Sequence, residues 1–176
     1  MTQLVMRRPN LEDLPEVPAL PPGFVLREFE LSDAEALAAL LQKAFEDDTW
    51  TVERLRSDLI EASDVRKIFV ITRDGVLVAT GSAALREDRY PEAGYVHWVA
   101  ADPALKGMHL GYIVSLAVLH EFVRLGCKTA VLQTDDDRLP AIRTYQKLGF
   151  EPEHTHESHP GRWARIMSDL LAAANL

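Results

Sequence analysis

The chain has 176 residues, 47% of them hydrophobic and 26% charged, the size and balance of one globular domain with its own core. Lys and Arg total 19 against 27 Asp and Glu, a net charge of −8, which works against a binder of nucleic-acid backbone and favours encounter with cationic small molecules. No run approaches the roughly 20 apolar residues of a membrane span, the opening residues lack a signal-peptide core, and the sole cysteine, Cys127, forbids an internal disulfide or a multi-Cys zinc site. The expectation is a cytoplasmic protein without nucleic-acid or membrane partners, with Cys127 as a small buried apolar residue.

Residues 1–23 hold Pro9, Pro15, Pro18, Pro21 and Pro22, which break periodicity and remove amide donors. They read as an extended arm, lying on the domain or loose in solvent, ahead of a domain over residues 24–176. Phe24-Val-Leu-Arg-Glu-Phe29 alternates as a strand, and Ser32-Asp-Ala-Glu35 has capping-box spacing before an apolar helical run to Phe45. Thr51 is placed to cap a second helix with Val52, Leu55, Leu59 and Ile60 on one face. Lys67-Ile-Phe-Val-Ile-Thr72 and Val76 to Leu85 flank the Asp74-Gly75 turn of a β-hairpin. A strand from Gly94 to Ala101 ends at Asp102-Pro103, a helix from Leu110 to Leu125 is closed by Gly126, and Lys128 to Thr134 reads as a buried strand. A short helix then runs from about Pro140 to Gly149. Trp163, Ile166, Met167, Leu170, Leu171 and Ala174 fall at the spacing of an amphipathic terminal helix.

The chemistry concentrates in two segments. Ala101-Asp-Pro-Ala-Leu-Lys-Gly-Met-His-Leu-Gly111 is a strand end and a two-glycine turn that run into a helix, an arrangement that presents free backbone N–H groups to an anion. About thirty residues on, Ala141-Ile-Arg-Thr-Tyr145-Gln-Lys-Leu-Gly-Phe150 closes a short helix on a glycine and re-enters a strand. Together these resemble the GCN5-related N-acetyltransferase (GNAT) superfamily, with its V-x-P-x-x-R-G-x-G-x-G/A loop and later A-x-x-x-Y-x-K-x-G-F helix. The second motif is matched at every quoted position. The first carries Ala101 for Val, Lys106 for Arg and His109 for the middle Gly.

The resemblance implies a single α/β domain with a mixed central sheet, splayed where acetyl-CoA enters and flanked by helices. It implies a pyrophosphate held by the backbone amides of Lys106, Gly107, Met108, His109, Leu110 and Gly111, and a pantetheine arm along Val99, Ala100 and Ala101. Acetyl-CoA is the expected cosubstrate and no metal is expected. His109 either adds a hydrogen bond to phosphate or crowds the loop; with a right-handed backbone its cost is small, and retained binding is expected. Arg138 stands where the superfamily often carries Asn, and is placed with the cofactor-binding residues. The superfamily's usual final strand hairpin is replaced here by a helical tail, which leaves the last sheet position open.

Attack by an amine on a thioester requires a neutral amine and a stabilised leaving thiolate. Strand alternation sets Tyr95, His97, Val99 and Ala101 on one face and Val96, Trp98 and Ala100 on the other. His97 is the candidate base, at a strand position where serotonin N-acetyltransferase-like members use histidine, and a neutral-range pH dependence is expected of it. Tyr145 is the candidate acid near sulfur. Tyr95 and Trp50 are placed near the acceptor, a small-molecule or peptide amine; a homodimer is left open. His154, His156 and His159 read as surface histidines, and Asp135-Asp136-Asp137 as helix capping and solvated charge. The alternative to an enzyme is a non-catalytic acyl-CoA-binding sensor or interaction module. A dinucleotide-binding domain fits poorly, because its phosphate turn follows the first strand of the unit.

Overall fold

The computed structural model describes residues 2–173. Five helices and seven strands follow in the order β1 (Leu4–Arg8), β2 (Phe24–Glu28), α1 (Ala34–Phe45), α2 (Val52–Leu55), β3 (Val65–Arg73), β4 (Val76–Leu85), β5 (Ala93–Ala101), α3 (Leu110–Arg124), β6 (Thr129–Thr134), α4 (Leu139–Lys147), β7 (Glu151–Glu153) and α5 (His159–Ala172). One mixed sheet holds all seven strands in the order β2-β3-β4-β5-β6-β1-β7. Its neighbours are antiparallel except β5 and β6, which are parallel and joined by α3. Helices α1 and α2, with the turn that follows α2, cover one face through Leu37, Leu41, Leu55 and Leu59; α3, α4 and α5 cover the other through Leu116, Phe122, Ile142 and Trp163.

The local signals act much as elementary chemistry dictates. Thr51 Oγ1 accepts from Arg54 N (3.2 Å) at the start of α2, which continues as a π-helical turn Arg56–Ile60. The Asp74-Gly75 turn places both residues at positive φ, the conformation that a right-twisted hairpin needs. The capping box sits two residues earlier than the sequence spacing implies. Glu30 N donates to Asp33 Oδ2 (2.9 Å), and Arg27 clamps that carboxylate with two bonds of 2.7 and 2.8 Å, so a 3-10 turn (Leu31–Asp33) precedes α1. Gly94 lies under α3, where an added Cβ would enter the Phe122 ring.

The largest departure is the N-terminal segment. Leu4 to Arg8 is a buried strand between β6 and β7, with Leu4 and Met6 turned to the α3 side and Val5 to the other. The strand after the Gly-Phe motif, β7, is the sheet edge, and the position between it and β6 is filled from the opposite end of the chain. Leu11, Leu14 and Val17 then pack against the core, and Pro15 O bonds His120 Nε2 on α3 (2.9 Å), so this stretch lies on the domain as an extended arm would. Arg8 Nη1 donates to Leu148 O (2.7 Å) in the space above Gly149, where φ is 80° and a Cβ would collide with the guanidinium.

The terminal helix is anchored by Trp163, Ile166 and Leu170, while Leu171 is exposed and Ala174 lies outside the described residues. Asp136 is an ion-pair partner instead of solvated charge, since Arg162 Nε of α5 sits 3.0 Å from its Oδ2. His159 is fully buried, not on the surface, and its Nδ1 accepts from Thr155 N (3.3 Å); His154 and His156 are exposed. Cys127 is only half-buried, and burial pushes its thiol upward. No helix among the described residues is long and apolar enough to cross a membrane.

Candidate active site

The site begins as a failure of strand pairing. β5 and β6 stay in register from Ala93↔Thr129 to Val96↔Leu132. Gln133 and Thr134 then remain paired with β1, through Val5 and Leu4, while His97 to Ala101 remain paired with β4 alone. The parallel strands have splayed, and one edge of β5 is free of its neighbour over those residues.

A bulge sharpens the opening. Ser82 pairs with His97 and Thr80 with Ala100, so Gly81 alone faces both Trp98 and Val99, and Trp98 takes φ of 46°. Left-handed backbone at a bulky residue costs on the order of 1–2 kcal/mol and persists only where the surroundings enforce it. Trp98 is held by edge contacts to Trp50 (4.5 Å between centroids) and Phe45 (5.6 Å). The extra residue breaks strict alternation. Tyr95, His97, Trp98 and Ala100 face the α1–α2 side, while Val96, Val99 and Ala101 face α3, so Val99 and Ala101 leave the face shared with His97 in the alternating reading.

Two cavities occupy the splay. The larger, about 860 Å³, is lined by Val99, Ala100, Ala101, Lys106, Gly107, His109, Leu110 and Gly111, and by α4 and the end of α5. The smaller, about 190 Å³, is lined by Tyr95, His97, Trp98, Gln133 and Arg86 among others. Only Val99, Arg138, Ala141 and Tyr145 line both. These four mark the junction.

At the far end of the larger cavity the loop meets α3. The first intrahelical donor is Ile113 N, to His109 O (3.1 Å), which leaves the preceding amides of the first turn without helical partners. Nothing would meet a Cβ at Gly107 or Gly111, so the space beside this backbone is open. His109 is left-handed, with φ of 55°, and its side chain is exposed. The right-handed backbone that would make a histidine cheap here is not adopted. Met108 does not line the cavity; its side chain packs inward with Leu110 and Ile113. Its amide is also taken, donating to Leu105 O (3.2 Å), as Lys106 N donates to Pro103 O (3.3 Å), so of the six amides expected to hold the pyrophosphate those of Gly107, His109, Leu110 and Gly111 are the ones left open.

In the smaller cavity His97 is pushed down to about 4, first by burial and then by the Arg86 charge, against a pull upward from Asp64. It is therefore neutral across the physiological range, and the neutral-range titration expected of it is displaced to acid pH. Arg86 Nε bonds Asp64 Oδ2 (2.8 Å), and its guanidinium lies 3.9 Å from the Tyr95 ring centre. Tyr95 hydroxyl donates to Gln133 Oε1 (3.1 Å), so Tyr95 is a fixed wall of this cavity. Tyr145 is buried, and burial pushes its phenol up to about 12, opposed by the nearby Arg138 charge. Trp50 must be withdrawn as an acceptor-facing residue: it is 1% exposed in the core beneath α1 and α2 and lines neither cavity. Arg86, Gln133 and Gln3 do line the smaller cavity, and no motif singled them out. Gln3 arrives only because β1 enters the sheet beside β6.

Residues 34–150 match the family described as the acetyltransferase (GNAT) family. The chain belongs to the GNAT acetyltransferase family. A mycothiol acetyltransferase of Thermomonospora curvata is 36% identical over 155 residues, 84% of this chain and 50% of that protein. The chain spans about half the length of the curated relatives it matches. Among solved structures, a GCN5-related N-acetyltransferase from Sphaerobacter thermophilus superposes with TM-score 0.67 at 21% identity, over 86% of this chain and 48% of that one. The aminoglycoside N-acetyltransferase AAC(6')-Iy in complex with CoA gives TM-score 0.64 at 18% identity, over 78% and 96%. At those identities the two structures speak to the fold, which is the splayed GNAT sheet.

Proposed function

We propose that this GNAT domain transfers an acetyl group from acetyl-CoA to an amine. The observation that carries the reading is the junction of two cavities in the sheet gap, one reaching the open N-terminus of α3 and the other lined by a half-buried neutral histidine. The amides of Gly107, His109, Leu110 and Gly111, with the dipole of α3, are offered to the pyrophosphate. The freed edge of β5 from Val99 to Ala101 offers hydrogen bonds to the pantetheine amides. The thioester then lies by Tyr145.

The amine nitrogen forms a bond to the acetyl carbonyl carbon, the C–S bond breaks, and its electron pair leaves on sulfur. One proton departs from nitrogen. His97, neutral and weakly basic, takes it directly or through water once bond formation has made the nitrogen cationic and its proton acidic. Against an ordinary thiol pKa near 8.5, a phenol at about 12 would release its proton uphill by on the order of 5 kcal/mol. Tyr145 accordingly acts first as a hydrogen-bond donor to the leaving sulfur and completes proton delivery only when another proton replaces its own. Tyr145→Phe is expected to lower turnover by roughly ten- to a thousandfold while changing acetyl-CoA affinity little, read by separate rate and calorimetric measurements.

The relatives' name puts mycothiol chemistry among the acceptors to test, beside small amines and peptide N-termini. Calorimetric titration with acetyl-CoA, with free CoA and NAD as comparisons, tests the cosubstrate. Micromolar binding of acetyl-CoA without NAD, followed by saturable acceptor-dependent CoA release, is the expected outcome. Binding without any acceptor-stimulated release would transfer the reading to an acyl-CoA sensor, and no binding to either CoA species would remove both.

A further inference from the structure

Arg138 lies at the junction of the two cavities. It directly precedes α4, is half-buried, and joins none of the ion pairs of the described residues. Its guanidinium lies over the Phe45 ring, 4.5 Å from the centroid, which holds it in place without neutralising it. It lines both cavities with Val99, Ala141 and Tyr145, whereas the Lys106–Gly111 loop lines only the larger one. The cation is thus at the reacting end of the gap.

We propose that Arg138 stabilises the negative charge that develops on the departing sulfur, and holds the coenzyme product in its thiolate form until a proton arrives. The proposal rests on the reading that acetyl-CoA lies along the larger cavity. Charge balances without a proton from Arg138: the C–S electron pair stays on sulfur opposite the guanidinium, the proton leaves nitrogen through His97 or water, and a solvent proton later converts thiolate to thiol. The high pKa of Tyr145 supports this division of labour, since a phenol that yields its proton reluctantly needs a fixed positive charge beside it.

The other titratable or charged groups on the two cavities are Tyr145 on α4, Tyr95 and His97 on β5, Asp135 after β6 and Arg86 after β4, with Asp102, Lys106, His109, Asp137, Arg143 and Lys147 on the larger cavity alone. Asp135 and Asp137 oppose the effect, Arg86 is engaged by Asp64, and His97 is neutral above about pH 4. Among the described residues Arg138 is the one cation that lines both cavities, and it has no carboxylate partner.

The test is an ultraviolet titration of the thiolate of CoA bound to the full chain, in wild type, Arg138→Gln and Arg138→Lys, alongside calorimetric CoA affinity at neutral pH. The bound thiol is expected to ionise roughly one to three units below free CoA in wild type, the scale of one close opposite charge. Arg138→Gln should return most of that shift, and Arg138→Lys should keep part of it. Affinity near neutrality should fall only as far as the lost thiolate fraction requires, by less than about fivefold for a shift of up to two units and by roughly thirtyfold for a shift of three. An unmoved thiol pKa in Arg138→Gln overturns the proposal. So does a loss of affinity beyond about tenfold with the thiol pKa unchanged, which would place the guanidinium on a phosphate. Failure of wild type to bind CoA would instead remove the underlying cosubstrate reading, an outcome distinct from either.

Discussion

His97 shows how position overrides residue type. An imidazole ordinarily titrates near 6.5, and burial with the Arg86 charge moves this one to about 4. Below pH 6.5 the unfolded chain takes up a proton that the folded chain refuses until about pH 4. The associated stability is complete above 6.5 and is lost as pH falls through that window, by on the order of 3 kcal/mol. His97→Gln is expected to flatten the dependence of urea-unfolding stability on pH between 6.5 and 4, and an unchanged slope would refute the displaced pKa. His109 shows the reverse case, a backbone paying for a side chain. With φ of 55° it occupies a left-handed site that glycine enters freely. His109→Gly is expected to stabilise the fold by less than about 1 kcal/mol, the strain relieved being partly offset by added freedom of the unfolded chain. Calorimetry on the same variant tests the proposed phosphate cradle: unchanged acetyl-CoA binding fits an exposed imidazole, and binding that appears only in the variant would reveal crowding.

Among the elements, β1 and β5 carry the lesson. β1 reads locally as five residues before a proline-rich stretch, too short for a period to declare itself. Its partners lie more than a hundred residues away, Met6 opposite Leu132 and Pro152, and both of its faces are covered. Met6→Ala is expected to cost roughly 2–5 kcal/mol in denaturant unfolding, because a fully buried side chain leaves a cavity. A loss within about 0.5 kcal/mol, normal for an exposed arm, would sink that placement. β5 was legible as a strand, but its alternation was not, because one added residue at Trp98 exchanges the faces of all that follow. The α4 motif from Ala141 to Phe150 was legible throughout, including the glycine, although the reason Gly149 must be glycine is an arginine from β1.

At the scale of the whole molecule, the splay leaves strand edge and cavity surface that a bound ligand would cover. Acetyl-CoA at about a hundred times its dissociation constant should add about 2.7 kcal/mol to the unfolding free energy, read as a concentration-dependent rise in melting temperature that NAD does not produce. The net charge of −8 suggested a cationic acceptor, yet the smaller cavity is walled by Arg86 and Arg138 against Asp135, because overall charge governs encounter while a pocket is set by the few side chains that converge on it.

The sequence by itself determined the helices with strong periodicity, the hairpin turn, the two-glycine loop and the Tyr145 helix, all features whose physical cause lies within a few residues of the chain. Tertiary structure alone decided that the N-terminal segment completes the sheet, that Trp50 is core, that Trp98 bulges, and that Arg86 and Arg138 meet His97 and Tyr145 at one gap. Each of those depends on pairing and burial between segments far apart in sequence, whose energies no local pattern records.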